Sequence, residues 1–161
     1  MLYILIGLPG TGKSFVAQLL AKKHKAVVLN ADEFRQRLFN IDPSKKDKIF
    51  PEEWRDIPYR AIFLATQFLT NAGINVIIDA ALYSNDLVSE ARSITKNSKV
   101  IQTTCSEKVA KERLRTRMDK SKKYSAGSRV YDHMNLITAK ITNVDYIIDT
   151  SEDVELQLRE I

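Results

Sequence analysis

The sequence predicts an α/β fold, a three-layer α/β/α sandwich around a five-stranded parallel sheet, on three observations. Five short apolar runs alternate with stretches of helical periodicity, the pattern of a sheet whose crossovers are helices. The first run, Leu2-Tyr3-Ile4-Leu5-Ile6, passes directly into Gly-Leu-Pro-Gly-Thr-Gly-Lys-Ser at residues 7–14, a Gly-rich turn that opens a helix. No repeat, low-complexity tract or Gly/Ser linker divides the 161 residues, so one domain over 1–161 is expected.

Residues 2–6 suit a buried strand, and Phe15 to Ala21 carry the apolar spacing of a helix. Ala26-Val27-Val28-Leu29 reads as a second strand running into Asn30-Ala31-Asp32-Glu33-Phe34-Arg35, with helical spacing to Phe39. Residues 41–50 hold Pro43 and three lysines and read as a loop. Pro51 opens a predicted helix to Ala72, with Glu52 and Glu53 complementing its dipole and Gly73 as its stop. Trp54, Ile57, Ala61, Leu64, Ala65 and Phe68 form one apolar stripe of that helix. Core packing is expected for Trp54, and a surface place for Tyr59 and Arg60 at the flank of a cleft.

The third strand covers 74–79 and ends in Asp79, and a helix is expected over 84–96. A fourth strand over 99–104 leads to a helix capped by Ser106 and reaching Met118. Residues 119–127 are polar and end in Gly127; with the helix before them they form a candidate helical lid over about 106–127. A helix over 128–141, a fifth strand over 144–148 and a short helix from Ser151 complete the alternation.

Hydrophobic residues at 44% and charged residues at 28% are the balance of an ordinary soluble globular chain. Cys105 is the single cysteine, which excludes an internal disulfide. Its place at the end of an apolar run predicts a buried thiol in a reducing cytoplasm. The opening apolar run is too short for a signal-peptide core, and Thr66 and Gln67 interrupt the apolar stretch 61–69, so no membrane role is expected. The net charge of +5 is uneven: Lys108, Lys111, Arg113, Arg115, Arg117, Lys120, Lys122 and Lys123 face only Glu112 and Asp119. Such a patch suits nucleic acid, a polyphosphate clamp or a plain solvated face.

Residues 7–14 satisfy the whole pattern G-x-x-x-x-G-K-[ST] in its strand–turn–helix context. The turn makes a nest of backbone N–H groups at the positive end of a helix dipole, so a nucleoside triphosphate is the expected ligand. The expected nucleotide contacts are Gly7, Leu8, Pro9, Gly10, Thr11, Gly12, Lys13, Ser14 and Phe15. Lys13 would reach the β- and γ-phosphates, and the Ser14 hydroxyl would ligate Mg²⁺. Asp79, at the tip of an apolar strand, would hold the same Mg²⁺; an acid there is otherwise a turn or cap residue. Asp32 either caps a helix or stands across from the γ-phosphate, where it accepts a proton from an attacking hydroxyl. Arg35 would then hold an anionic acceptor or the transferring group. Arg113 and Arg117 are four apart on a helix, so both can enter one cleft and meet phosphate oxygens; Arg115 points elsewhere. His24 and His133 carry no ligand pattern, and no His and Cys pair has zinc spacing.

The segments Gly-Leu-Pro-Gly-Thr-Gly-Lys-Ser, Asn-Ala-Asp-Glu-Phe-Arg, Val-Ile-Ile-Asp and Arg-Leu-Arg-Thr-Arg stand in the order and spacing of small phosphate-loop kinases. The chain most resembles the 5′-hydroxyl kinase module of polynucleotide kinase and zeta-toxin-like kinases, and more distantly adenylylsulfate, shikimate and gluconate kinases. The resemblance implies a nucleotide-kinase type of sheet with a helical lid. It implies Asp32 as general base, Arg35 near the acceptor, and Arg113 and Arg117 as lid arginines. It also implies adenine packing between the lid and Asp149-Thr150-Ser151, with Thr150 and Ser151 as contacts. The likeness covers 1–35, 74–79, 106–118 and 144–151 and is absent through 40–72. Ala80 and Ala81 stand where many such kinases carry Thr or Asn.

The expected function is therefore ATP- and Mg²⁺-dependent phosphoryl transfer to a hydroxyl. The acceptor is a nucleotide-like compound, a polynucleotide 5′ end or a small molecule, and it stays open because one fold hosts many acceptors. A nucleotide-dependent ATPase or switch acting on a partner is the alternative, and a nucleic-acid module using the 108–123 patch is a third. The absence of an Asn-Lys-x-Asp element argues against a GTPase, and length argues against an AAA-type motor.

Overall fold

The computed structural model describes residues 1–40, 54–120 and 128–161, without the side chains of 117–120 and 128–129. The loop expected over 41–50, the opening Pro51, Glu52 and Glu53, and residues 121–127 of the expected lid lie outside the described residues. The chain runs β1 (Leu2–Ile6), α1 (Lys13–His24), β2 (Val27–Asn30), α2 (Ala31–Leu38), α3 (Ile57–Asn71), β3 (Val76–Asp79) and α4 (Asn85–Ser93). It continues through β4 (Ser98–Thr104), α5 (Glu107–Lys120), α6 (Ser128–Ile137), β5 (Tyr146–Asp149) and α7 (Val154–Gln157), ending in a 3₁₀ turn, Leu158–Glu160.

The five strands form one sheet in the order β2-β3-β1-β4-β5, and every pair is parallel. All five residues of β1 are buried because the strand is central and covered on both faces. Alternation sends its side chains to two different cores. Leu2, Ile4 and Ile6 join Val76, Ile78 and Val100 under α3 and α4, through Tyr59, Ile62, Phe63, Leu87, Val88 and Ala91. Tyr3 and Leu5 join Ile77, Ile101 and Ile148 under α1 and α7, through Val16, Ala17, Leu20 and Val154. The predicted sandwich is thus the observed one.

Element ends differ by a few residues from the sequence reading, with one larger correction. The helix expected from Pro51 is described from Ile57, with Pro58 in its first turn. Of its stripe of Trp54, Ile57, Ala61, Leu64, Ala65 and Phe68, Ala65 packs against the core but most of the large side chains do not. Trp54, Ile57, Leu64 and Phe68 are exposed, and the face that docks on the sheet is Pro58, Tyr59, Ile62, Phe63 and Thr66. Trp54 stacks on Phe39, with ring centroids 5.5 Å apart, instead of entering the core, and Tyr59 is buried instead of lying at the surface. Arg60 is exposed, as expected, and pairs with Glu90. The short last helix begins at Val154, not Ser151, because Asp153 caps it through Leu156 N–H at 3.0 Å. Cys105 is half-buried, where full burial was expected.

Candidate active site

The carboxyl ends of the strands bring the site together. In register, Leu5 of β1 lies opposite Asp79 of β3, and Asn30 of β2 lies opposite Asp79 from the other side. Ligands of such sheets bind at these ends.

The phosphate loop leaves β1 and enters α1 at Lys13. Gly10 adopts φ +83, and a Cβ there would stand 2.5 Å from the Ala110 carbonyl oxygen. Gly12 adopts φ +90, and a Cβ there would stand 2.9 Å from Thr150 Cγ2. Only glycine takes both the left-handed backbone and the close approach. Buried Thr11 ties the loop down: its hydroxyl donates to Leu8 O at 2.7 Å and lies 2.8 Å from Thr103 Oγ1. Lys13 Nζ donates to the carbonyls of Gly7 and Leu8 at 2.8 and 3.1 Å, so the ammonium curls over the loop. Phe15, in the first turn of α1, is half exposed at 50%.

Asp79 is buried, and one of its oxygens, Oδ2, accepts from Ser14 Oγ and from Asn30 Nδ2, each at 2.7 Å. Asp79 and Ser14, the two residues expected to hold Mg²⁺, are therefore in direct contact. A buried carboxylate beside a hydroxyl is a hard-oxygen donor set that suits Mg²⁺, which takes one or two protein ligands and completes its shell with phosphates and water. Among the described residues no group of three or more His, Cys, Asp or Glu side chains gathers into a metal cluster.

Asn30 caps α2. Its Oδ1 accepts from the N–H groups of Asp32 and Glu33, both at 3.0 Å. Asp32 is therefore not the cap that one reading of the sequence allowed. Its carboxylate is largely exposed and receives Arg35 Nη1 at 2.7 Å. Arg35 is the more enclosed partner, and its charge opposes the upward push of burial on the Tyr59 pKa. Tyr59 OH donates to Ala81 O at 3.2 Å. Beside it Tyr83 OH donates to Asp56 Oδ1 at 2.6 Å, and the Arg55 guanidinium lies 5.5 Å from the Tyr83 ring centre. Burial first, and the bond to Asp56 second, push the Tyr83 pKa up to about 12.

Arg113, on α5, donates from Nη1 to Thr150 Oγ1 at 2.7 Å and from Nη2 to Thr150 O at 2.9 Å, with a longer contact of 3.5 Å to Gly10 O. Thr150 Oγ1 lies 2.9 Å from Thr11 O and 3.2 Å from Thr104 O, in donating geometry to each. Ser151 N–H donates to Asp149 Oδ1 at 2.8 Å, a bond that holds the exposed Asp149 carboxyl below its usual pKa. Arg113, Thr150 and the phosphate loop thus meet at one seam. Arg117 lies one turn further along α5, its side chain outside the described residues. Arg115 pairs with Glu112 at the surface, as expected.

Asn30, Tyr59, Asp56 and Tyr83 were not singled out from the sequence for the places they take here. For Asn30 a signal existed: Asn with Asp and Glu two and three residues later, in the first helical turn, is a helix-start pattern. Tyr59 is on α3 and Tyr83 in the loop between β3 and α4, and nothing local brings them within ring contact at 6.3 Å.

Sheet order, phosphate loop and strand-end acid define a phosphate-loop kinase-like fold. The chain belongs to the AAA domain family, whose match covers residues 2–136. No curated protein matches the chain in sequence. Among solved structures it is similar to a sugar kinase from a Janibacter species, with TM-score 0.77 and 17% identity over 99% of this chain and 90% of that one. It is similar to the Mycobacterium tuberculosis APS kinase bound to AMPPNP and APS, with TM-score 0.73 and 19% identity over 99% and 93% of the two chains. Chaetomium thermophilum Kti12 in complex with ADP-AlF3 gives TM-score 0.74 and 16% identity over 100% and 95%. At these identities the likeness is one of fold. No helix among the described residues is long and apolar enough to cross a membrane.

Proposed function

We propose that this protein is an ATP- and Mg²⁺-dependent phosphotransferase acting on a hydroxyl acceptor. One observation carries the reading: Asp79 joins Ser14 of the phosphate loop to Asn30, the cap of the helix that bears Asp32 and Arg35. Phosphate-binding and acceptor-facing groups are thereby linked through one carboxylate.

In this reading Lys13 and the loop amides from Gly7 to Ser14 hold the β- and γ-phosphates. Ser14 and Asp79 hold Mg²⁺, which supplies charge neutralisation at the phosphate oxygens. Asp32 takes the proton of the acceptor hydroxyl as its oxygen bonds to the γ-phosphorus and the bond to the β–γ bridging oxygen breaks. Arg35 holds the acceptor or the transferring group. Arg113, with Thr150 and Ser151, orders the nucleoside end, and Arg117 adds positive charge at the transferring phosphoryl group. The acceptor remains the class that the resemblance suggests: a 5′-hydroxyl end, a nucleotide-like compound or a small molecule. The sugar kinase and APS kinase among the structural neighbours support the small-molecule arm.

The Asp32–Arg35 ion pair favours a second reading, an ATPase or switch, because it holds the Asp32 carboxylate against Arg35 at 2.7 Å and not against an acceptor. Kti12 bound to ADP-AlF3 is a neighbour in keeping with it.

The test is γ-labelled ATP with Mg²⁺ and a panel of 5′-hydroxyl DNA and RNA, nucleosides, nucleotides and sugars. Label on an acceptor, absent with Lys13→Ala, is the expected result; label released only as free phosphate supports the switch. Asp32→Ala is expected to lower transfer about 10²–10⁴-fold with nucleotide affinity nearly unchanged, and full activity in that variant overturns the role of Asp32.

A further inference from the structure

Asn30 belongs to both halves of the site. It closes β2 directly opposite Asp79 on β3. The two ends of its amide do different work. Nδ2 donates to Asp79 Oδ2 at 2.7 Å, the same oxygen that accepts from Ser14. Oδ1 accepts from Asp32 and Glu33 N–H at 3.0 Å each. The amide can take only one orientation here, since a carboxylate needs a donor and backbone N–H groups need an acceptor.

Other good capping side chains cannot do both. Aspartate would cap α2 but set a second negative charge against Asp79, and serine would cap it but offers no amide N–H to span to that carboxylate. We infer that Asn30 is a positioning residue: it fixes the Asp79 carboxylate for the metal and ties it to the helix that presents Asp32. The inference rests on the phosphotransferase reading above. The separation it sets is the one that matters for transfer, between the metal-side carboxylate and the acceptor-side one. Groups that orient a metal ligand commonly change metal affinity when removed, although they never touch the ion.

The test reads Mg²⁺-dependent binding of a fluorescent ATP analogue rather than turnover. Asn30→Ser keeps an oxygen at the cap and deletes the amide donor. The affinity for nucleotide in EDTA is expected to stay at the wild-type value, and the melting temperature to fall only by the loss of one hydrogen bond to a buried carboxylate. The Mg²⁺ concentration for half-maximal tightening is expected to rise about tenfold. An unchanged Mg²⁺ midpoint overturns the inference and leaves the proposed function standing. A parallel loss of melting temperature and of metal-free affinity also overturns it, because that is the mark of a merely structural cap. A wild-type protein that binds no nucleotide with Mg²⁺ overturns the proposed function and this inference with it. A second measurement needs no variant: the Asn30 side-chain NH₂ resonances should shift with Mg²⁺ and nucleotide together and not with nucleotide in EDTA. A spectrum indifferent to Mg²⁺ overturns the assignment.

Discussion

At Gly10 the demands of backbone and neighbour coincide: φ is +83, and the Ala110 carbonyl oxygen stands only 2.5 Å from where a Cβ would lie. The loop pattern made this glycine legible in the sequence, but its closeness to α5 was not, because Ala110 lies a hundred residues away. Gly10→Ala is expected to cost about 1–3 kcal/mol in denaturant unfolding and to weaken nucleotide binding, since the loop must move from α5 to fit a methyl group. His24 teaches the reverse lesson. At the end of α1 it reads as a dipole partner, yet its Nε2 is buried with no hydrogen-bond partner among the described residues and its ring packs 4.8 Å from that of Tyr3. Burial first, and Lys23 second, lower its pKa from the ordinary 6.5. The unfolded chain therefore takes up its proton at higher pH than the folded one. Stability from this residue is intact above pH 6.5 and is lost as pH falls below it, through the depressed folded value. Melting temperatures from pH 8 to 5.5 should fall less steeply in His24→Gln than in the wild type; parallel curves would remove His24 as the cause.

Among the elements α3 is the most instructive. Two stripes on it have helical spacing, one through Ile57, Leu64 and Phe68 and one through Tyr59, Ile62, Phe63 and Thr66. Periodicity marks an apolar stripe but does not say which of two such stripes meets the sheet. Contact with β3, α2 and the residues after β3 decides it, and that contact is tertiary. Tyr59 belongs to the docked face because its hydroxyl finds the Ala81 carbonyl there. Ile62→Ala should destabilise by about 2–5 kcal/mol, whereas Phe68→Ser, at 69% exposure, should stay within about 0.5 kcal/mol. Urea unfolding of the two variants measures this, and equal losses would restore the stripe read from the sequence. At α2 the ambiguity was smaller: Asn30 and Asp32 are both good cap residues, and the end of β2 selects the first.

Across the whole molecule the sheet order is what makes a site. Because β1 lies between β3 and β4, the loop that follows it has Asp79 on one side and the β4 and β5 ends on the other. Arg113 spans that second side, joining α5 to Thr150 and to the loop at Gly10. Arg113→Ala removes these charge-assisted bonds and leaves a buried Thr150 hydroxyl with one partner fewer. Unfolding free energy should drop by about 1.5–3 kcal/mol, and nucleotide affinity should weaken with it because the seam then opens. A variant of wild-type stability and affinity would show that Arg113 does not join the two parts.

The sequence by itself determined the phosphate loop, the alternation of strands and helices, the acids at the end of β3 and the start of α2, and the arginines on α2 and α5. These are local signals: glycines at fixed spacing, apolar periods of two or of 3.6, and turn chemistry. Tertiary structure alone decided which α3 face is buried, that Arg113 clasps Thr150 37 residues away, and that Asn30 meets Asp79 49 residues away. Each of these depends on which strands become neighbours, and that is settled by the joint burial of both sheet faces, not by any short stretch of chain.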